Sequence, residues 1–221
     1  MKELLNQLAD FILRIDVHLA DITNEYGIWT YALLFLIVFA ETGFVVTPFL
    51  PGDSLLFAAG ALCAMPGTGL QVAALILLLW LAAVLGDSVN YWIGAKAGPK
   101  VFSREDSFFL RKKHLERAHA FFEKFGGRAI LLARFAPIIR TFVPFVAGIG
   151  KMRYTRFAIY NVTGGFLWIA GFTLMGYFFG NQEIVKRNFH LVIVGIIVVS
   201  LIPVVVEFVR ARVALKNEAG K

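Results

Sequence analysis

Two acids, Glu41 and Asp53, and two arginines, Arg134 and Arg140, stand inside stretches that are otherwise apolar and broken by proline and glycine. The acids belong to Glu41-Thr-Gly-Phe-Val-Val-Thr-Pro48-Phe-Leu-Pro51-Gly-Asp53, the arginines to Arg134-Phe-Ala-Pro137-Ile-Ile-Arg140-Thr-Phe-Val-Pro144-Phe-Val-Ala-Gly148. A guanidinium stays charged and forks two hydrogen bonds onto a phosphate or carboxylate, so a pair of them is a candidate phosphate clamp. Six residues apart, Arg134 and Arg140 would not share a face of an unbroken helix, but Pro137 between them permits a turn that brings both to one cavity. A carboxylate in a low-dielectric setting can exchange a proton near neutral pH, which makes Glu41 and Asp53 candidates for proton coupling as well as counter-charges. The structural alternative is a permanent pair of salt bridges from the arginines to Glu41 and Asp53, with Asp53 also capping a helix over Leu55 to Leu62.

Such charges are expensive in lipid, about 2.5–3.5 kcal/mol each on insertion scales. Proline frees helix carbonyls, and non-helical backbone at membrane depth survives only against protein or a wet cavity. A chain that puts acids in one broken apolar segment and arginines in another is building a polar site inside the bilayer, as a transporter does. Pro48, Pro51, Pro137 and Pro144 are candidate lining for its cavity, together with Asp87 and Asn90 of Gly86-Asp-Ser-Val-Asn-Tyr91. Groups such as Asp87 and Asn90 equally serve to bond neighbouring helices.

Composition supports the membrane reading. The 221 residues are 58% hydrophobic and 17% charged, with mean hydropathy +0.72, against roughly half and a quarter for soluble domains. The length suits one domain, 1–221. The net charge of +7 lies mostly in loops and suits an anionic lipid surface; no aromatic-interleaved basic motif points to nucleic acid. The single Cys63 excludes an intrachain disulfide and a cysteine metal cluster, and His114 and His119 read as solvated surface; neither a metal nor a cofactor is expected beyond protons as coupling ion.

The elements that must position these residues are all helical. Residues 1–26 place Leu4, Leu8, Phe11, Ile15, Leu19 and Ile22 on one face and carry five acids, which suits an amphipathic helix on the membrane or on the protein's own cytoplasmic surface rather than a cleaved signal. Ile28 to Ala40 is apolar but short for a span of about 20 residues. Residues 44–65, split by Pro48, Pro51 and Gly52, suit a re-entrant hairpin, and Pro66-Gly-Thr-Gly69 a turn. Leu70 to Ile93 reads as a span. Residues 96–128 form a basic loop that the positive-inside rule places in the cytoplasm. Residues 129–150 suit a second re-entrant hairpin, and Phe157–Gly180 and Phe189–Phe208 span, so both termini are expected in the cytoplasm. Gly164-Gly165 and Gly171 to Gly176 are read as allowing close helix packing.

The broken segments echo each other, Thr47-Pro-Phe-Leu-Pro-Gly52 against Thr141-Phe-Val-Pro-Phe-Val-Ala-Gly148, and would approach from opposite sides. The expected fold is therefore an all-α polytopic membrane protein built as an inverted repeat, with two opposed re-entrant hairpins, a design that places a substrate site near the midplane. No Gly-x-Ser-x-Gly elbow, His-Glu-x-x-His or P-loop is present, and no histidine lies in the broken segments, so enzyme chemistry is not expected.

At the Glu41-Thr-Gly and Phe49-Leu-Pro-Gly-Asp-Ser54 runs, at Gly86–Tyr91 and at Arg134–Gly148, the chain resembles the bacterial DedA family, within the SNARE-associated or VTT-domain membrane proteins. The resemblance covers nearly the whole chain, and Arg-Phe-x-Pro-x-x-Arg-x-x-x-Pro-x-x-Ala-Gly is its most specific part. It implies two opposed re-entrant hairpins, functional acids and arginines at Glu41, Asp53, Arg134 and Arg140, and membrane homeostasis dependent on the proton motive force. It further implies a bacterial inner-membrane transporter of lipid phosphates, recycling undecaprenyl phosphate to the cytoplasmic leaflet. Two other readings stand beside it: a proton-coupled exporter of small cations or drugs, in which the acids bind the substrate, and a non-transporting membrane-homeostasis scaffold.

Overall fold

The computed structural model describes residues 21, 23, 25–44, 52–97, 119–120, 122–134, 137–188, 191–192 and 194–196. The N-terminal segment up to residue 20, most of the basic loop, Pro48, Pro51 and most of the expected final span lie outside the described residues. Among those described, all regular structure is helical: α1 (Trp29–Gly43), α2 (Gly52–Cys63), α3 (Val72–Ala97), α4 (Arg128–Ala133), α5 (Pro137–Ile149), α6 (Tyr154–Phe179) and α7 (Glu183–Arg187).

The helices α3 and α6 are long and apolar enough to cross a membrane. At 26 residues each they reach about 39 Å, more than the ~30 Å of a hydrocarbon core. The turn before α3 is made by Gly67 and Gly69, both at positive φ (88° and 66°), where a side chain would be strained. One face of α3 exposes Leu77, Leu81 and Leu85, four residues apart. The opposite face buries Leu75, Leu79, Ala82, Ala83, Gly86 and Asn90. A large exposed leucine stripe opposite a small-residue packing face is the pattern of a helix solvated by lipid.

The directions of the shorter helices follow from their contacts. Helix α1 runs parallel to α3: at its start the Tyr31 hydroxyl accepts a hydrogen bond from the Gln71 amide at 2.6 Å, and at its end Gly43 lies against Gly86. Helix α2 turns back, starting beside Glu41 and finishing where Asn181 donates to the Ala61 carbonyl at 2.9 Å. Helices α4 and α5 do the same from the other end of the bundle. The start of α4 sits against Tyr160 and Met152, and Arg134, just past its end, reaches Asp87. Helix α5 then descends to bring Gly148 against Tyr91 and Ala95. The end of α1 with the start of α2, and the end of α4 with the first turn of α5, therefore meet near Gly86–Asn90 of α3.

The same close contact is made twice. Gly60 of α2 faces the Thr173 carbonyl and the Tyr177 amide of α6, while Gly176 faces the Phe57 carbonyl. Gly148 of α5 faces the Tyr91 carbonyl and the Ala95 amide of α3, while Gly94 faces the Phe145 carbonyl. The matching sequence is Phe57-Ala-Ala-Gly60 and Phe145-Val-Ala-Gly148, while most of the first proline-centred stretch, 45–51, lies outside the described residues. Of the later glycines expected to ease packing, Gly176 does so, but a side chain at Gly171 would meet nothing within 4 Å.

Two apolar cores result. One joins α1, α2, α3 and α6 through Leu34, Val38, Leu56, Leu79 and Ile169; the other joins α3, α4, α5 and α6 through Tyr91, Ile130, Val143, Val146 and Phe157. The buried ionic side chains lie between them.

Candidate functional site

Arg140, one turn into α5, projects to the bend between α1 and α2. Its Nη1 donates to Asp53 Oδ1 at 2.9 Å and its Nη2 pairs with Glu41 Oε1. Asp53 lies in the first turn of α2, where the helix dipole favours a negative charge. Glu41 ends up against the same helix start: its carboxylate fills the space where a side chain at Gly52 would be. Glu41 is 1% exposed, so this contact is sealed from solvent and lipid alike.

Arg134 follows the last residue of α4, where the chain breaks before α5. Its Nη2 pairs with Asp87 Oδ2 and donates to Asn161 Oδ1 at 2.6 Å. The structural alternative drawn from sequence, in which both arginines pair with Glu41 and Asp53, thus holds for Arg140 alone. The two guanidiniums nevertheless line one enclosed cavity of about 10 Å³, with Thr42, Asp87, Ile130, Thr141 and Pro144. That is room for about one water molecule. Among the prolines suggested as lining, Pro144 is there; only the backbone of Pro137 is described.

Asn90 does not open into that cavity. Its amide donates to the Thr42 carbonyl at 3.1 Å and to the Thr141 carbonyl at 2.7 Å. Those carbonyls belong to the residues after Glu41 and Arg140, so Asn90 ties together the backbones that carry the ion pair. Pro144 removes the amide that would otherwise close a helical bond to the Arg140 carbonyl, which loosens the ladder at this turn of α5.

Sequence reasoning did not single out Asn161 or Trp168 of α6. Trp168 is 1% exposed, its indole N–H donates to Asp53 Oδ1 at 2.8 Å, and its ring lies 4.8 Å from the Arg140 guanidinium and 5.7 Å from that of Arg134. Asn161, Gly164, Gly165 and Trp168 fall at i, i+3, i+4 and i+7, one helical face, and that spacing was the available signal. The glycine pair does more than admit a neighbouring helix. A side chain at Gly164 would lie 3.6 Å from Arg134 Cδ, and one at Gly165 would lie 3.4 Å from its Nη2, so the pair leaves room for the arginine.

The arrangement is a polar layer of three acids and two arginines, closed above and below by apolar cores. It can exchange partners among buried charges. No cluster of His, Cys, Asp and Glu suited to a metal ion occurs among the described residues.

Comparison with known proteins gives the family. The VTT domain model matches residues 50–178, more than half of the chain. The chain is 54% identical over 217 residues to Protein DedA of Escherichia coli, covering 98% of this chain and 99% of that one. It is 47% identical over 184 residues to an uncharacterised membrane protein of Mycobacterium tuberculosis, covering 83% and 81% of the two chains. It is 35% identical over 182 residues to the Inner membrane protein YqjA of Escherichia coli, covering 82% and 81%. No solved structure matches.

The class is thus an all-α, polytopic membrane protein with a VTT domain. Within that class, the chain belongs to the DedA family. Membership supports a general role in membrane transport, a non-enzymatic character and a multi-pass location in the bacterial inner membrane.

Proposed function

We propose that this protein moves a lipid phosphate, undecaprenyl phosphate by the family resemblance, from the outer to the cytoplasmic leaflet, with proton coupling. The observation that carries the reading is the placement of Arg134 and Arg140 on one buried cavity, each already paired with acids that a phosphate could displace. The polyprenyl tail can stay in lipid, so only the headgroup needs a polar path.

The charge count supplies the coupling. Glu41, Asp53 and Asp87 face Arg134 and Arg140, three acids against two arginines. A phosphate adds further negative charge to a low-dielectric site, where unbalanced charge is costly. Uptake of at least one proton by the acids releases an arginine and restores balance. Loss of that proton to the cytoplasm returns the arginine to its carboxylate and expels the headgroup.

We read α1–α2 and α4–α5 as the two opposed re-entrant hairpins and the twin glycine contacts as the mark of an inverted repeat. The first hairpin is then 29–63 rather than 44–65, because α1 bends back beside Gly86 instead of crossing. With the basic end of α3 inside, Tyr26 and Trp29 lie at the outer end of the bundle. The chain preceding α1 is accordingly read as external at that point, unlike the cytoplasmic N-terminus expected from loop charge.

The excess of acids also favours a second reading, a proton-coupled exporter of small cations. Translocation of labelled undecaprenyl phosphate in proteoliposomes separates the two, using wild type beside Arg140→Gln with and without a proton gradient. The lipid reading expects gradient-stimulated flipping that Arg140→Gln abolishes while the protein stays monodisperse. Absence of flipping by folded wild type, with cation-induced proton movement instead, would establish the exporter.

A further inference from the structure

We infer that Trp168 is a positioning residue that joins the two arginine clusters into one working unit. Its side chain touches groups from both. Its N–H shares the Asp53 oxygen with Arg140, and its ring takes both guanidiniums, at 4.8 and 5.7 Å. The negative face of an indole attracts a guanidinium, most strongly where water is excluded. At 1% exposure and inside the apolar core, the ring has no freedom to serve one arginine without the other feeling it.

The geometry assigns Trp168 two tasks. When a phosphate or a proton breaks the Arg140–Asp53 pair, Asp53 keeps a donor in the indole N–H and stays where Arg140 can recover it. Both guanidiniums interact with the one ring, so displacement at one pair alters the other. The tryptophan does not bind the headgroup itself. It makes the two arginines respond together.

The second task rests on the lipid-phosphate reading only for its transport readout, and a fluorescence arm is independent of any substrate. In detergent-purified protein, the emission of Trp168 is taken as the difference between each protein and its Trp168→Phe partner. Arg134→Lys and Arg140→Lys keep the charge but lose the planar contact, and each is expected to shift that emission. A shift with Arg140→Lys alone would overturn the joint role, because Trp168 would then serve a single cluster.

The transport arm uses the same substitutions. With Trp168 present, the Arg134→Lys/Arg140→Lys protein is expected to retain about tenfold more flipping than the product of the single defects predicts, as coupled residues do. In the Trp168→Leu background the defects are expected to multiply. Trp168→Phe, which keeps a ring and loses only the N–H, is expected to preserve the coupling. Multiplying defects in the presence of Trp168 would overturn the inference. If no variant flips lipid, wild type included, the lipid reading fails, and the fluorescence arm still decides whether Trp168 joins the clusters.

Discussion

Substituting Gly52 by alanine sets two physical effects against each other. Where the backbone conformation suits both residues, Gly→Ala is normally stabilising by about 0.4–1 kcal/mol, through the unfolded chain. Here the added carbon would lie 2.6 Å from Glu41 Oε1 and 2.8 Å from its Cδ, where ordinary contact starts near 3.4 Å. Glu41 Oε2 would lie closer still, so the carboxylate must retreat by about 1.1 Å from the start of α2. Overpacking of this kind costs about 1–3 kcal/mol. Glu41 is fully enclosed and paired with Arg140, so the retreat also strains a buried ion pair whose outright loss is worth about 3–5 kcal/mol. A net loss of about 1–3 kcal/mol is expected. The check is a thermal unfolding series in detergent, followed by monodispersity on gel filtration, with flipping measured in parallel. Glu41→Asp shortens the side chain by one carbon–carbon bond, about 1.5 Å. The double variant Gly52→Ala/Glu41→Asp should therefore be less damaged than the two single effects summed. A Gly52→Ala protein as stable as wild type, with undiminished transport, would refute the proposed crowding of Glu41 against α2.

Asp87→Asn should lower stability more than Asn161→Ala, because the first leaves a buried guanidinium without a counter-charge, about 3–5 kcal/mol, and the second removes one hydrogen bond to it, about 1.5–3 kcal/mol; chemical denaturation ranks them. Gly60→Ala and Gly148→Ala each drive a methyl group into a backbone carbonyl of the facing long helix, so the two should be damaging to similar degrees, as judged by yield of monodisperse protein. Membrane-impermeant maleimide should label cysteines placed at Trp29 and Gln71 from outside the cell and at Lys96 only after permeabilisation, in a Cys63→Ala background; labelling of residue 29 from inside alone would reverse the assigned orientation of α1.

Much of the polar layer was legible because charge inside an apolar, proline-broken stretch is rare enough to stand out. Glu41, Asp53, Arg134 and Arg140 are visible on that ground alone, and the structure brings all four to one layer. The spans at Val72–Ala97 and Tyr154–Phe179 follow from unbroken hydropathy over lengths that match a bilayer. The pairing was not legible. Arg134 meets Asp87 and Asn161, at separations of 47 and 27 residues, and nothing local distinguishes that choice from Glu41 or Asp53. Trp168 escaped notice because a tryptophan in an apolar helix is ordinary, and its significance lies entirely in what α2 and α5 place around it. Asn90 was noticed with two roles open, since an amide within a span can equally line a cavity or bond neighbouring helices, and only the bonds to the Thr42 and Thr141 carbonyls choose the second. The reach of α1 was hidden for a similar reason: apart from Thr30 and the Glu41-Thr-Gly43 end its 15 residues are apolar, and only the contact of Gly43 with Gly86 reveals how far it travels.

The order of the charges along the chain bears on how the protein is made. Glu41, Asp53 and Asp87 all precede both arginines, and Arg140 lies 99 residues after Glu41 and 87 after Asp53. At a synthesis rate of about 5–20 residues per second, Glu41 and Asp53 wait about 5–20 seconds for Arg140, and Asp87 about half as long for Arg134. Three carboxylates therefore reach the membrane with no cation to meet them, and each must be held neutral, kept in water or shielded by the insertion machinery. Integration of the amino-terminal half is thus provisional until α4 and α5 arrive. A ribosome that stalls after residue 97 leaves behind an unbalanced acidic fragment, a natural target for membrane quality control.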